Sequence, residues 1–170
     1  MDIVKLQKLE DRLGYSFSDK NELFRALTHP SFSKKIGECR DNNRDCPHQS
    51  VYATLGDALL KAAFISILMK NGLKTKGDIT ITKADLENNL RLTKVGERLH
   101  LLEENYILHR AGCGEKLKEA SEALYSDTVE ALFGAIFIDS NRSMSAIEKC
   151  VLKVFAAELN EMVRRLEHVP

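Results

Sequence analysis

The sequence contains few residues that interrupt helices. Its 170 residues include 3 prolines and 9 glycines, and its apolar residues recur mostly at helical spacing, whereas the alternation typical of strands is scarce. This length is sufficient for one domain with a substantial core. We therefore predict an all-α fold in which residues 1–170 form a single domain.

An excess of charge of either sign is also absent. The 25 lysines and arginines balance 25 aspartates and glutamates, whereas a strongly basic chain would favour nucleic acid as a partner. The N-terminus lacks the basic segment and apolar stretch of a signal peptide, and no apolar run is expected to be long enough to cross a bilayer. We expect a cytoplasmic protein with no membrane partner, and any contact with nucleic acid would depend on a local patch.

The four cysteines include no CxxC pair. Cys39, Cys46 and His48 are close along the chain, but their spacing matches no common zinc motif. Free thiols in a reducing compartment are the simpler interpretation.

The periodicity predicts about seven or eight helices, with short pieces between them. Their approximate ranges are 2–12, 19–28, 48–70, 78–90, 91–100, 115–138 and 143–167. Asp19 is expected to cap the second helix, with Glu22 completing a capping box, and Thr80 or Thr82 is expected to cap the fourth. Polar or glycine-containing segments at 33–47 and 109–115 are predicted to be loops.

Carboxylates occur in two stretches that otherwise have the composition of helix cores. Residues 55–60 (LGDALL) contain Asp57, and residues 125–135 (YSDTVEALFGA) contain Asp127 and Glu130. An uncompensated charge in such a place is strongly disfavoured. A lysine, an arginine or a helix cap would satisfy a single acid, whereas a hard divalent cation would satisfy a group of acids.

Gly56 and Gly134 lie in the same two stretches, and each costs about 1 kcal/mol relative to alanine inside a helix. Close approach of another backbone would explain both glycines. If the two helices cross there, Asp57, Asp127 and Glu130 gather in one pocket, since the last two residues are spaced i, i+3.

Three neighbouring carboxylates repel one another, so either some are protonated or a cation neutralises them. Oxygen-only ligands suit Mg²⁺ or Mn²⁺ better than zinc. Such a site can deprotonate a water molecule and stabilise charge that builds on a phosphate.

Five elements of this sequence, in order, resemble the catalytic domain of ribonuclease III. They are 13–17 with 27–32 (LGYSF and LTHPSF), 54–59 (TLGDAL), 81–88 (ITKADLEN), 112–115 (GCGE) and 126–135 (SDTVEALFGA). The resemblance covers nearly the whole chain and identifies it as a member of that family.

The resemblance implies an all-helical homodimer that cuts double-stranded RNA with Mg²⁺ or Mn²⁺ and leaves 5′-phosphate and 3′-hydroxyl ends. By this resemblance, Asp57 and Glu130 would be catalytic metal ligands, and Asp127 would complete or orient the metal site. The dimer would present two sites along one groove, in which A-form RNA is recognised mostly by its shape.

Two basic residues are candidates for RNA binding, namely Lys83 and Arg110. Arg110 precedes the glycine loop, where the backbone can approach a phosphate. Either residue could instead be an ordinary solvated surface charge. His29, in the THPS motif, is expected to be a buried histidine that hydrogen-bonds to the backbone rather than a catalytic base.

The sequence departs from the family pattern before Asp57. Ser50 and Ala53 stand where the family normally carries two glutamates, and the second of these would be a direct metal ligand. Three explanations remain open. The site works in a reduced form, as in the mini-ribonuclease III branch, which also has a small residue there. Alternatively, the chain is an inactive relative that scaffolds RNA or pairs with an active subunit, or the residue was changed to trap a complex.

We expect no double-stranded-RNA-binding domain after the region of resemblance. With a neutral net charge, its salt-sensitive affinity for RNA is expected to be modest.

Overall fold

The computed structural model describes residues 3–33, 47–108 and 121–167. The helices of these residues are α1 (Ile3–Leu13), α2 (Lys20–Ala26), α3 (Pro30–Ser33), α4 (Ser50–Lys70), α5 (Lys76–Leu86), α6 (Asn89–Arg98), α7 (Ser121–Asp139), α8 (Met144–Val154) and α9 (Ala156–Glu167). The described part of the chain contains no strand, only an isolated bridge between Thr28 and Leu108. The all-α prediction is confirmed.

The two longest helices, α4 and α7, form the centre of the fold. Both carry apolar residues on most faces, which is typical of helices that are covered by others. They pack along each other, and α7 also contacts α2 and α6 while α8 covers α4. Phe155 follows α8 and packs edge-on against Phe64 of α4, with ring centroids 5.0 Å apart. The core therefore surrounds the stretches that carry the predicted site.

The helices α4 and α7 cross at the two glycines that the sequence singled out. A Cβ atom on Gly56 would lie 1.8 Å from the carbonyl oxygen of Glu130, and one on Gly134 would lie 2.3 Å from the carbonyl oxygen of Tyr52. Neither position has room for a methyl group, so the close approach requires glycine. The predicted crossing is confirmed.

Helix α4 corrects the expectation that no apolar stretch could span a membrane. It has 21 residues and a mean hydropathy of 1.5, and so meets that criterion by length and composition. Half of the stretch is buried inside the fold. Its apolar character serves the packing against α7 and α8.

Some predicted helix ends are wrong. The segment 143–167 forms two helices rather than one, because α8 ends at Val154 and Phe155 separates it from α9. Thr75, not Thr80 or Thr82, caps α5, and its hydroxyl accepts a hydrogen bond from the amide of Asp78. The isoleucines and threonines of residues 79–82 therefore lie inside the helix.

Asp19 caps α2 as predicted, and its carboxylate accepts a hydrogen bond from the amide of Asn21. The capping box with Glu22 is not formed. The Asp19 amide instead donates to Asp139 at 2.7 Å, and the Glu22 carboxylate accepts from the hydroxyl of Tyr52. Tertiary partners have replaced the local pairing.

Asp139 fastens the end of α7 to the start of α2. Its carboxylate accepts hydrogen bonds from the Tyr15 hydroxyl at 2.7 Å and from the amides of Ser18 at 2.9 Å and Asp19 at 2.7 Å. Burial alone would raise the pKa of Asp139, but these donors together hold it below its ordinary value.

Several predictions fall on residues outside the described ranges. They concern most of the loop at 33–47, the loop at 109–115 and three of the cysteines, Cys39, Cys46 and Cys113. The fourth, Cys150, is a free thiol buried in the core, and burial raises its pKa to about 11. The assignment of residues 1–170 to one domain stays a prediction.

Candidate functional site

Asp57 lies on α4, directly after the glycine that touches α7. Its side chain is 42% exposed, and its Oδ2 atom lies 2.8 Å from Nζ of Lys61, one helical turn further on. The acid on the α4 side of the crossing therefore already has a cationic partner.

Asp127 and Glu130 lie on α7, on the other side of the crossing. Asp127 is exposed and Glu130 is half-buried. Burial, together with the negative charges of Asp57 and Asp127, raises the pKa of Glu130 to about 7, and Lys61 opposes part of this shift. Charges from both helices thus act on one carboxyl group, and the structure brings the three predicted acids into one electrostatic environment.

His29 acts on one of these acids, Asp127. Although Asp127 is exposed, the protein around its carboxyl group displaces part of its solvent and raises its pKa, and the nearby charge of His29 partly offsets this rise. The Nδ1 atom of His29 accepts a hydrogen bond from the Ser31 amide at 3.2 Å and lies 2.8 Å from the Ser31 hydroxyl. The expected hydrogen bond to the backbone is present, on a half-buried ring.

The donor atoms of Asp57, Asp127 and Glu130 fit a hard divalent cation. All three side chains offer carboxylate oxygens, and the raised pKa of Glu130 reflects negative charge that a bound cation would neutralise. Among the described residues, however, no three acidic, histidine or cysteine side chains are already arranged around one metal position. Binding of an ion would require the acids to draw together and Asp57 to turn from Lys61.

Ala53 and Ser50 are the residues that the resemblance to ribonuclease III places where two glutamates are expected. Ala53 is 7% exposed and lies one turn before Asp57, next to the residue whose carbonyl meets Gly134. Ser50 is the exposed first residue of α4. Neither residue supplies a carboxylate to this face of the helix.

Of the two candidate RNA-binding residues, only Lys83 lies among the described residues. Lys83 donates to both carboxylate oxygens of Glu87, at 2.7 and 2.9 Å, so its charge is already compensated. Arg110 lies outside the described residues. Contact of either residue with RNA stays a prediction.

Sequence reasoning missed two polar features of the site. Lys61 could have been found, because it stands four residues after Asp57 on the same helix face. The second feature is a buried hydrogen bond in which the Thr128 hydroxyl donates to the side-chain oxygen of Gln49 at 3.3 Å. This hydrogen bond links the residue that precedes α4 to α7, next to Asp127. No local sequence pattern indicates that these two residues meet.

The described residues form a helical fold in which two core helices cross and carry carboxylates at one surface. This combination defines the class of protein to which the chain belongs. A family model described as ribonuclease-III-like matches residues 19–159. The match covers well over half of the chain and includes both acidic stretches. The protein belongs to the ribonuclease-III-like family.

Named relatives support this assignment. The chain is 30% identical to Ribonuclease 3 of Aquifex aeolicus over 160 residues, which is 94% of this chain and 64% of that protein. It is 31% identical to Ribonuclease 3 of Photorhabdus laumondii over 166 residues, covering 95% and 65% of the two chains. The chain therefore spans slightly less than two thirds of the length of these relatives.

Solved structures show the same fold. The nuclease domain of ribonuclease III from Campylobacter jejuni superposes with a TM-score of 0.75 at 26% identity, covering 90% of this chain and 97% of that one. That structure is described as flexible in a region involved in dimer formation. A second structure of the same domain gives a TM-score of 0.73 at 27% identity, covering 91% and 94%.

Proposed function

We propose that this protein is an endoribonuclease that depends on Mg²⁺ or Mn²⁺ and cleaves double-stranded or structured RNA to 5′-phosphate and 3′-hydroxyl ends. Family membership supports the reaction class. The observation that carries the proposal is the shared electrostatic environment of Asp57, Asp127 and Glu130 at the crossing of α4 and α7. A homodimer located in the cytoplasm is part of the same proposal.

Each acid has a distinct part in this proposal. Asp57 and Glu130 would hold the metal from opposite helices, and Asp127 would complete or orient the site. A bound divalent ion would activate water and stabilise charge on the phosphate. With a pKa of about 7, the Glu130 carboxyl is partly protonated at neutral pH before any ion binds, so it can release a proton as the site fills.

The proposal is tested with a labelled RNA duplex and increasing Mg²⁺ or Mn²⁺. We expect cleavage that requires the ion and falls by at least about 100-fold in Asp57→Asn and in Glu130→Gln, because each change removes a charged ligand. Glu122→Gln, which changes an exposed acid on the same helix as Glu130, should leave the rate unchanged. Equal cleavage by all three variants and the unmodified chain would refute the site.

A second function is favoured by a specific observation, the combination of Ala53 with the ion pair of Lys61 and Asp57. A site with one carboxylate fewer and one cation already in place is also what an inactive relative would have. In that case the protein binds duplex RNA or an active subunit without cutting. Binding without cleavage at any metal concentration would support this alternative.

Ala53→Glu separates the two functions. If the chain is an enzyme with a reduced site, the added carboxylate one turn before Asp57 should raise both metal affinity and cleavage by about tenfold, which corresponds to about 1.4 kcal/mol. Ala53→Gln has the same size without the charge and should produce neither gain. Unchanged metal affinity in Ala53→Glu would mean that another group already fills this position.

A further inference from the structure

Gln49 directly precedes α4 and is almost completely buried. Only 1% of the residue is exposed, although its side chain carries a polar amide. A residue in this position usually turns its side chain back to the first amides of the helix, but Gln49 makes no such bond. The amide of Ser50 donates instead to Nδ1 of His48 at 3.3 Å. The side chain of Gln49 is therefore used for a contact outside its own helix.

That contact is with Thr128 on α7. The Thr128 hydroxyl is completely buried and donates to Oε1 of Gln49 at 3.3 Å. A threonine inside a helix commonly donates to the carbonyl four residues earlier, as Thr93 on α6 does to Asn89 at 2.8 Å. At Thr128 a bond between two helices takes the place of this local one.

The backbone of Gln49 extends the connection to the segment after α2. Its amide donates to the carbonyl of Thr28 at 2.9 Å, and the buried Thr28 hydroxyl donates to the carbonyl of Phe24 within α2 at 2.6 Å. Thr28, Gln49 and Thr128 thus form a buried polar seam that joins the end of α2, the start of α4 and α7.

Both ends of the buried polar seam adjoin residues of the candidate site. Thr128 directly follows Asp127, and Thr28 directly precedes His29, whose charge acts on Asp127. Buried polar groups are costly unless they are hydrogen-bonded, and an apolar pair of the same shape would fill this space without that requirement. A hydrogen bond has a direction, however, so it can fix how one helix is rotated against another.

We propose that Gln49 is a positioning residue: through Thr128 it fixes the rotation of α7 against α4, and with it the place of the three acids at the crossing. A displacement of about 1 Å in such a group can reduce a rate by about 100-fold. The consequence for cleavage rests on the proposed function. The hold on α7 does not, since it concerns the folded chain without RNA.

The hydrogen bond is tested by urea unfolding of Thr128→Val, Gln49→Met and the variant with both changes. Each substitution removes polar groups while keeping the side chain close to its original size. A single change leaves one buried polar group without its partner and should lower the stability. The double variant leaves neither partner of the bond and should lose clearly less than the sum of the two single losses. Additive losses would show that the two residues act independently and would refute the proposal.

The hold on α7 is measured by hydrogen exchange of residues 125–133 in the full chain without RNA. In the double variant these amides should exchange at least about fivefold faster than in the unmodified chain, because α7 can then open locally, whereas the amides of α8 should not change. Thr128→Ser keeps the hydroxyl and should behave like the unmodified chain. Unchanged exchange in the double variant would contradict the proposed hold.

The matched control is Ser66→Ala. Ser66 also lies on α4, and its hydroxyl donates to Glu148 on α8 at 2.6 Å, so this variant loses a bond between helices away from the acids. The exchange of residues 125–133 should stay as it is in the unmodified chain.

The consequence for cleavage is measured with a labelled RNA duplex under the conditions that support cleavage by the unmodified chain. Thr128→Val and the double variant should each lose at least about tenfold in kcat with KM changed less than about twofold, whereas Thr128→Ser and Ser66→Ala should keep their kcat. A purely structural role would restore kcat together with stability in the double variant, and full kcat there would overturn the positioning role. If the unmodified chain cleaves no duplex, the proposed function fails, and hydrogen exchange still decides whether Gln49 holds α7.

Discussion

The pKa of Glu130 is raised both by burial and by two neighbouring carboxylates. Its pKa of about 7 in the folded chain lies above the ordinary value of 4.5. For an acid with a raised pKa, the stabilising contribution is fully present below the unfolded pKa and is lost as the pH rises through the folded pKa. The negative charge of Glu130, which would help to bind a metal ion, therefore lowers the stability of the ion-free protein at neutral pH.

We predict that the ion-free protein loses stability between about pH 4.5 and pH 7.5 through Glu130. The loss should be at most about 3 kcal/mol, from the size of the pKa shift. Urea unfolding of the unmodified chain and of Glu130→Gln at several pH values gives the difference between the two. This difference should favour Glu130→Gln increasingly as the pH rises, and a constant difference would contradict the assignment.

Mg²⁺ or Mn²⁺ provides the control for this prediction. An ion that binds only the folded chain stabilises it by mass action, so its addition at pH 8 should recover the loss in the unmodified chain. Glu130→Gln, which lacks the ligand, should gain much less.

Individual residues of the site differ in how far the sequence predicts them. The acids on α4 and α7 were predictable because charge inside an apolar helical pattern needs a partner, and two glycines marked where the helices meet. The bond between Gln49 and Thr128 was not predictable, because it joins residues 79 positions apart through their buried side chains. Pairing of this kind depends on the packed structure rather than on local spacing.

The packing of α4 against α7 depends on two places where the backbones of the helices touch. Alanine at position 56 would place a methyl carbon against the Glu130 carbonyl, and alanine at position 134 would place one against the Tyr52 carbonyl. Because the opposing atoms belong to the backbone of a helix, they can move away only if the helices separate.

We predict that Gly56→Ala and Gly134→Ala each reduce the free energy of unfolding by about 3 kcal/mol or more, and that both also weaken metal binding as Asp57 and Glu130 move apart. Gly77→Ala is the matched control, since a methyl group on Gly77 in α5 would meet only the Thr75 hydroxyl at 3.9 Å. Chemical denaturation should show no loss, or a gain of about 1 kcal/mol from helix propensity, for Gly77→Ala. Equal stability of all three variants would contradict the close crossing.

Helix boundaries were less predictable than the helices themselves. The long apolar pattern of 143–167 continues through Phe155, but that ring leaves the helical path to pack between Phe64 and Phe133 of the core. The capping of α2 changed in a similar way, because Asp139 takes the Asp19 amide that a local capping box would have used. In both places a tertiary contact outweighed a local preference.

At the scale of the whole molecule, the proposed homodimer sets how RNA would be cut. The fold is that of ribonuclease III nuclease domains, one of which is described with a region involved in dimer formation. If two protomers present their sites along one groove, each site would cut one strand of the duplex. The spacing of the two sites would then set the offset between the two cuts.

We predict that a dimer of one unmodified chain and one Asp57→Asn chain, purified through two different tags, nicks a single strand of the duplex. Separately labelled strands on a denaturing gel would show one product and one intact strand, because only one protomer holds a complete site. The corresponding dimer with Glu122→Gln should cut both strands. A monomer in sedimentation experiments at micromolar concentrations would exclude this arrangement.

The hydrogen bonds of Asp139 bear on the order in which the chain acquires its structure. The amide of Ser18 is synthesised 121 positions before the carboxylate that accepts its hydrogen bond. Helix α2 likewise packs against α7, which follows it late in the chain. On the ribosome, residues 15–26 therefore have to wait without these tertiary partners until α7 has left the exit tunnel, so that a segment made much later fixes their position.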